Sequence, residues 1–188
     1  MSNAAPSELQ LEESISVEDF YEQVSQENNL LILDVREKDE YDAWQIETRF
    51  TPQTIHIPYF DFFEDQDEQV AKVPQGKDVI TDCAIGDASD FVAAVLEEHG
   101  YRAMNLTGGM IAWGHYYATR PVAETSDYQI YQIERVARGC LSHALVSDGK
   151  AILIDPLRHI EQYETFLAAH DASLTLIGLA FYAGDKPE

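Results

Sequence analysis

Along the first two thirds of the chain, short runs of strand length alternate with stretches of helical period. Strand-like segments stand at residues 30–33 (Leu-Leu-Ile-Leu), 54–57 (Thr-Ile-His-Ile), 79–82 (Val-Ile-Thr-Asp) and 101–106 (Tyr-Arg-Ala-Met-Asn-Leu). Between them, apolar positions recur every three or four residues. Phe20, Tyr21 and Val24 mark a first helix to about Gln26; Phe91, Val92, Val95 and Leu96 mark a second that ends at His99-Gly100. Short apolar runs argue strand, and an i, i+3, i+4 stripe argues a helix with one buried face. Ser16-Val17-Glu18-Asp19 has the form of a capping box, Asn28-Asn29 break the first helix, and Gly100 suits the position just past a helix end. Such alternation predicts an α/β fold: a mostly parallel sheet with helices on both faces.

Several side chains stand out within this frame. Asp34 and Arg36 are expected to fix the turn after the 30–33 strand, with Arg36 and Glu40 at ion-pair spacing in the short helix that follows. His56 alternates with Ile55 and Ile57 and reads as structural. Tyr59, Phe60, Phe62 and Phe63 form an aromatic cluster beside acids, divided between core and the rim of a pocket. Gly108-Gly109 opens a helix carrying Met110, Ile111 and Trp113, with Trp113 as core.

The texture changes after residue 121. Residues 122–127 are polar and unpatterned and read as a linker, which sets the domains at 14–121 and 128–188, with residues 1–13 a disordered acidic tail. The second segment predicts strands at 128–136, 144–146 and 151–154, with Asp148-Gly149 as a hairpin turn. An amphipathic helix through Ile160, Tyr163, Phe166 and Leu167 follows, then a strand at 174–179.

Charge changes the picture most. The chain has 188 residues, 34 acids against 12 Lys and Arg, and a net charge of −22. A nucleic-acid partner needs a basic face, and so does an anionic membrane surface, so neither is expected. The acids are spread along the chain, which suits a highly solvated surface. Two cysteines, Cys83 and Cys140, make no disulfide framework. With no secretory pattern at the N-terminus and no apolar run of spanning length, the expected location is cytoplasmic.

Candidate chemistry centres on Cys83-Ala84-Ile85-Gly86-Asp87-Ala88-Ser89. A strand ends in a cysteine, a tight loop turns at Gly86, and Ser89 is placed to cap the helix that follows. That is the local geometry of a cysteine nucleophile at a helix mouth, where loop N–H groups converge on the sulfur's charge. The other reading of Cys83 is a small buried apolar residue. This stretch, with Leu106-Thr107-Gly108-Gly109-Met110-Ile111-Ala112-Trp113 downstream and Leu33-Asp34-Val35-Arg36-Glu37, Glu40-Tyr41 and Ile57-Pro58 upstream, resembles a rhodanese domain. The resemblance implies that Cys83 takes up sulfane sulfur as a persulfide and passes it to a thiophilic acceptor. It implies that the backbone N–H groups of Ala84, Ile85, Gly86, Asp87, Ala88 and Ser89 cradle the persulfide, without metal or organic cofactor. Loops of thiosulfate-using rhodaneses carry a basic residue where this chain has Ala84 or Ala88, and here the neighbours are Asp82, Asp87 and Asp90. Negative charge repels a dianionic donor, so a small thiol persulfide or a persulfide-bearing protein is expected ahead of thiosulfate.

The second segment resembles the opening of a metallo-β-lactamase fold, on Gly139-Cys140-Leu141-Ser142 and Ile154-Asp155-Pro156. That fold's H-x-H-x-D-H metal motif falls on Ala180-Phe181-Tyr182-Ala183-Gly184-Asp185, which holds no histidine. No metal and no hydrolase or dioxygenase activity are therefore expected. His143, His159 and His170 lack ligand spacing, and Cys140 reads as a small packed residue. A lone set of opening strands exposes an apolar face, for which pairing into a homodimer through the C-terminal segment is one outcome. Two functions stay open: a rhodanese-type sulfurtransferase or persulfide carrier, and a non-catalytic rhodanese-like module whose cation-free loop no longer turns over.

Overall fold

The computed structural model describes residues 14–26 and 29–180. The expected tail at 1–13, the helix-breaking Asn28 and most of the stretch matched to the metal motif lie outside the described residues. The chain divides into two compact units between Gly114 and His115.

The first unit is a five-stranded parallel sheet. Its strands are β1 (Ser14–Ile15), β2 (Leu30–Asp34), β3 (Gln53–His56), β4 (Asp78–Asp82) and β5 (Arg102–Leu106), ordered β1-β5-β4-β2-β3. Its helices are α1 (Val17–Val24), α2 (Lys38–Ala43), α3 (Tyr59–Glu64), α4 (Gln66–Val70), α5 (Asp87–Glu98) and α6 (Gly109–His115). β4 lies in the middle, with Asp34 opposite Asp82 on β2 and Asn105 opposite Thr81 on β5. Central strands of a parallel sheet are covered on both faces, which is why β2 is apolar from Leu30 to Leu33 and β4 buries Val79 and Ile80. On one face Leu31, Leu33, Val79 and Cys83 pack with Phe62, Val70, Val92, Val95 and Leu96 of α3, α4 and α5. Phe20 of α1 and Trp113 of α6 are also fully buried and meet edge-on, 5.5 Å apart.

Local chemistry accounts for the helix ends. The Ser16 side chain accepts from the Asp19 N–H at 3.0 Å, so α1 opens on an N-cap as expected. α5 closes at Gly100, whose φ of 81° only glycine adopts cheaply, while the Tyr101 N–H reaches back to the Leu96 carbonyl. His56 is structural: its Nε2 lies 2.7 Å from the Arg36 carbonyl and its ring stacks on Tyr41.

The second unit is a mixed sheet of β6 (Tyr117–Glu124), β7 (Gln129–Arg135), β8 (Cys140–Ser147), β9 (Lys150–Ile154) and β10 (Ser173–Gly178), ordered β10-β9-β8-β7-β6. Only the β10–β9 pair is parallel, and α7 (Ile160–Ala169) connects these two strands. Tyr163 and Phe166 of α7 pack on Ile133, Ala144, Val146, Ala151 and Leu153. Leu174, Leu176 and Ile177 of the edge strand β10 are exposed.

Two expectations for this region are corrected. Residues 122–127 are not a linker: β6 runs through residue 124 and a turn leads straight into β7. β6 is largely exposed after Tyr117 and holds Pro121, which an edge strand tolerates because one side of its backbone needs no partner. Cys140 is exposed rather than packed, because it lies at the open end of β8.

Candidate active site

Cys83 follows the last residue of β4, at the carboxyl end of the sheet, where open α/β folds place their ligands. The chain then turns through Gly86, whose φ is 102°. A side chain there would be strained and crowded, since an added Cβ would stand 3.2 Å from the Gly108 nitrogen. The turn brings the Gly86 N–H to 3.1 Å from the Cys83 Sγ and the Ser89 hydroxyl to 3.2 Å from it. Cys83 is 5% exposed, so the sulfur is a packed group and a hydrogen-bonded one together.

Ser89 is not the helix cap. α5 begins at Asp87 with Gly86 in the cap position, and Ser89 already sits in the first turn, fully buried. Its hydroxyl faces inward, 2.8 Å from the Asn105 Oδ1 as well as 3.2 Å from the sulfur. The Asn105 amide nitrogen donates to the Gly86 carbonyl at 3.0 Å and to Asp90 at 3.2 Å, which fixes its oxygen toward Ser89. The Ser89 hydroxyl has one proton, so it is shared among the Asn105 oxygen, the Gly86 carbonyl at 3.2 Å and the sulfur. Thr81 ties β4 to the same turn by donating to the Ser89 carbonyl at 2.9 Å.

The loop is held from beneath by α6. The Met110 N–H donates to the Cys83 carbonyl at 2.9 Å and the Ile111 N–H to the Ala84 carbonyl at 3.0 Å. These donors lie in the first turn of a helix, which lacks internal acceptors for them. The approach is close enough that a Cβ on Gly109 would overlap the Cys83 carbonyl oxygen and come within 3.0 Å of Ala84 and Gly86 backbone atoms.

Of the six residues expected to form the cradle, Gly86 and Ser89 therefore place donors on the sulfur. Ala84 contributes a carbonyl to α6, Ile85 is exposed, Asp87 opens α5, and Ala88 packs against the core that contains Cys83. Asn105 was missed. Its only signal was one amide inside an otherwise ordinary strand, and its value comes from register with Thr81, which sequence does not display.

The charge around the loop is negative. Residues 78–101 contain no lysine or arginine. Arg36 does not pair with the Glu40 carboxylate as its spacing led us to expect. Its Nε lies 3.0 Å from the Asp34 Oδ1 in a buried ion pair, and its remaining nitrogens donate to the Trp44 and Glu40 carbonyls. Burial wins over helix spacing here, because a buried carboxylate needs its cation more than an exposed one does. Asp82 is 0% exposed and neither carboxyl oxygen has a hydrogen-bond partner. Burial, and then the charge of Asp34, push its carboxyl well above the usual range, against the pull of Arg36. Among the described residues no group of three or more His, Cys, Asp or Glu could hold a metal ion.

Comparison with known proteins bears on this site. The family model described as the rhodanese-like domain matches residues 16–116. The chain is 30% identical over 99 residues to a Bacillus subtilis protein, YtwF, provisionally named a sulfurtransferase; the match covers 53% of this chain and 87% of that one. It is 28% identical over 100 residues to a second Bacillus subtilis protein, YrkF, provisionally named a sulfur carrier protein. That match covers 53% of this chain and 49% of the relative, so the chain spans about half of YrkF. A crystal structure of a rhodanese-like domain protein from Staphylococcus aureus aligns at 27% identity with a TM-score of 0.46, over 54% of this chain and 91% of that one.

Proposed function

Because the chain belongs to the rhodanese-like domain family, we propose that it is a sulfurtransferase or persulfide carrier that moves sulfane sulfur through Cys83. The observation that carries this reading is the pair of donors on the sulfur, the Gly86 N–H at 3.1 Å and the Ser89 hydroxyl at 3.2 Å. In the loading step the Cys83 thiolate attacks the outer sulfur of a donor persulfide. A new S–S bond forms at Cys83, the donor's S–S bond breaks, and its electron pair leaves on the donor thiolate. Unloading is the same exchange with an acceptor thiolate, so no net oxidant is needed. The Gly86 N–H and the Ser89 hydroxyl stabilise the Cys83 thiolate that attacks in loading and leaves in unloading, with the Ser89 proton turning from Asn105 toward the sulfur. The names of the two Bacillus relatives agree with a sulfur-handling role.

Loop charge favours a second reading, a binding module on the same fold that no longer turns over. Both readings are separated by intact mass of the reduced protein after exposure to glutathione persulfide and, separately, thiosulfate, with Cys83→Ser as control. A gain of one sulfur, released by cyanide as thiocyanate and absent in the variant, is the expected result with the persulfide. A folded protein whose Cys83 alkylates freely yet takes sulfur from neither donor would refute transfer from these donors and favour the module.

We read the second unit as the opening part of a metallo-β-lactamase fold without the metal motif, with β10, an edge strand among the described residues, pairing with a second copy of the chain. Sedimentation equilibrium tests the last point: a dimer is expected, and a monomer across the micromolar range refutes it.

A further inference from the structure

The sulfur-transfer reading leaves the partner open, and the surface around the loop narrows it. Ala88 and Phe91 stand three residues apart on one face of α5, and Ile85 lies in the loop just before that helix. Ile85 is 55% exposed, while Ala88 and Phe91 are half-buried against the core that contains Cys83. The Tyr59 ring meets Phe91 edge-on at 5.7 Å. Tyr59 in turn holds Phe60 at 5.5 Å and Phe63 at 6.4 Å. Of the three phenylalanines on α3, Phe62 fills the core, whereas Phe60 and Phe63 are 63% and 69% exposed. The core has no need of these two rings, and contiguous exposed aromatics mark contact surfaces.

The two stretches that carry this patch have charge of one sign. Residues 58–71 and 78–101 carry no lysine or arginine, and Asp61, Glu64, Asp65 and Asp87 are exposed among them. Thiosulfate would meet this field unfavourably and could not use the rings. A small neutral thiol would gain nothing from either feature. What fits both is an apolar anchor flanked by positive charge.

We propose that the mouth of the Cys83 loop docks a protein segment that bears the exchanging sulfur on a cysteine flanked by apolar and basic residues. The apolar flanks cover Phe60, Phe63 and Ile85, the basic ones face Asp61, Glu64 and Asp87, and the segment's cysteine reaches Cys83 for the exchange written above. The proposal rests on the sulfur-transfer reading and specifies its partner.

The test uses the full chain and three synthetic peptides loaded as cysteine persulfides: Lys-Leu-Cys-Phe-Lys, Lys-Ser-Cys-Ser-Lys and Glu-Leu-Cys-Phe-Glu. The second-order rate of sulfur gain at Cys83 is read by intact mass, with glutathione persulfide as reference. The basic apolar peptide is expected to react about tenfold faster or more than the other donors, with an advantage that shrinks at high salt. The double variant Phe60→Ser, Phe63→Ser lowers its rate relative to glutathione persulfide toward one. Asp61→Lys with Glu64→Lys shifts preference toward the acidic apolar peptide, a gain that a merely damaged fold cannot produce. Equal rates for the three peptides and glutathione persulfide would overturn the docking proposal while leaving sulfur transfer standing. Sulfur from none of them, with Cys83 still alkylated by iodoacetamide, would overturn both.

Discussion

Asp82 offers a quantitative check on the electrostatics of the active strand. In the unfolded chain its carboxyl ionises near the ordinary value of about 3.9. In the folded chain it is enclosed, has no hydrogen-bond partner and faces the charge of Asp34, so it keeps its proton to higher pH. Above about pH 4 the unfolded state has therefore released a proton that the native state still holds. Stability contributed at this position falls as pH rises, by about 1.4 kcal/mol per pH unit, until the folded carboxyl ionises as well. Asp82→Asn keeps the shape and removes the titration. The cost of burying unpaired polar atoms, about 1–3 kcal/mol, applies to neutral acid and amide alike and largely cancels in the comparison. The variant is thus expected to gain on the parent steadily with pH, starting near pH 4. Urea unfolding followed by tryptophan fluorescence measures this directly, because Trp44 and Trp113 both lie in the first unit. A stability difference that stays flat from pH 4.5 to 8 would refute the argument, since it would mean that the folded carboxyl ionises as easily as the unfolded one.

Further expectations concern the loop. Gly109→Ala forces a Cβ onto the Cys83 carbonyl at a φ of 54°, and should cost about 2–4 kcal/mol in the same unfolding assay while slowing sulfur uptake. Ser89→Ala removes the hydroxyl from both Cys83 and Asn105; a stability loss of about 1–3 kcal/mol and about tenfold slower persulfide formation are expected, by unfolding and intact mass. Ala88→Arg places a cation beside a loop that has none, and should raise thiocyanate production from thiosulfate and cyanide at least severalfold; an unchanged rate would show that charge does not limit thiosulfate use.

Some of this protein was written in local pattern. The run into Cys83, the turn at Gly86 and the stripe through Phe91, Val92, Val95 and Leu96 define β4, the loop and α5 without reference to the rest of the chain, because strand and helix periods and a glycine turn are properties of neighbouring residues. The Asp148-Gly149 hairpin and the α7 stripe were legible for the same reason. The negative charge of the loop itself was legible too, since residues 78–101 carry no lysine or arginine.

Other features were decided by residues far apart in sequence. β6 has no strand-like alternation of its own and holds Pro121, and it is a strand because β7 pairs with it. Arg36 chose Asp34 over the Glu40 carboxylate because burial set the value of the pair. Ser89 reads as a cap in sequence, yet with Gly86 in the cap position and Asn105 across the sheet its hydroxyl serves the sulfur instead. Asp82 became an enclosed acid only when its strand took a central place, and Phe60 and Phe63 became a surface only when Phe62 took the core. Backbone periodicity is local, so the sequence alone determined most elements of the first unit and the turn after Cys83. Burial and register are pairwise over long distances, so only the tertiary structure decided which polar group meets the sulfur and which rings stay exposed.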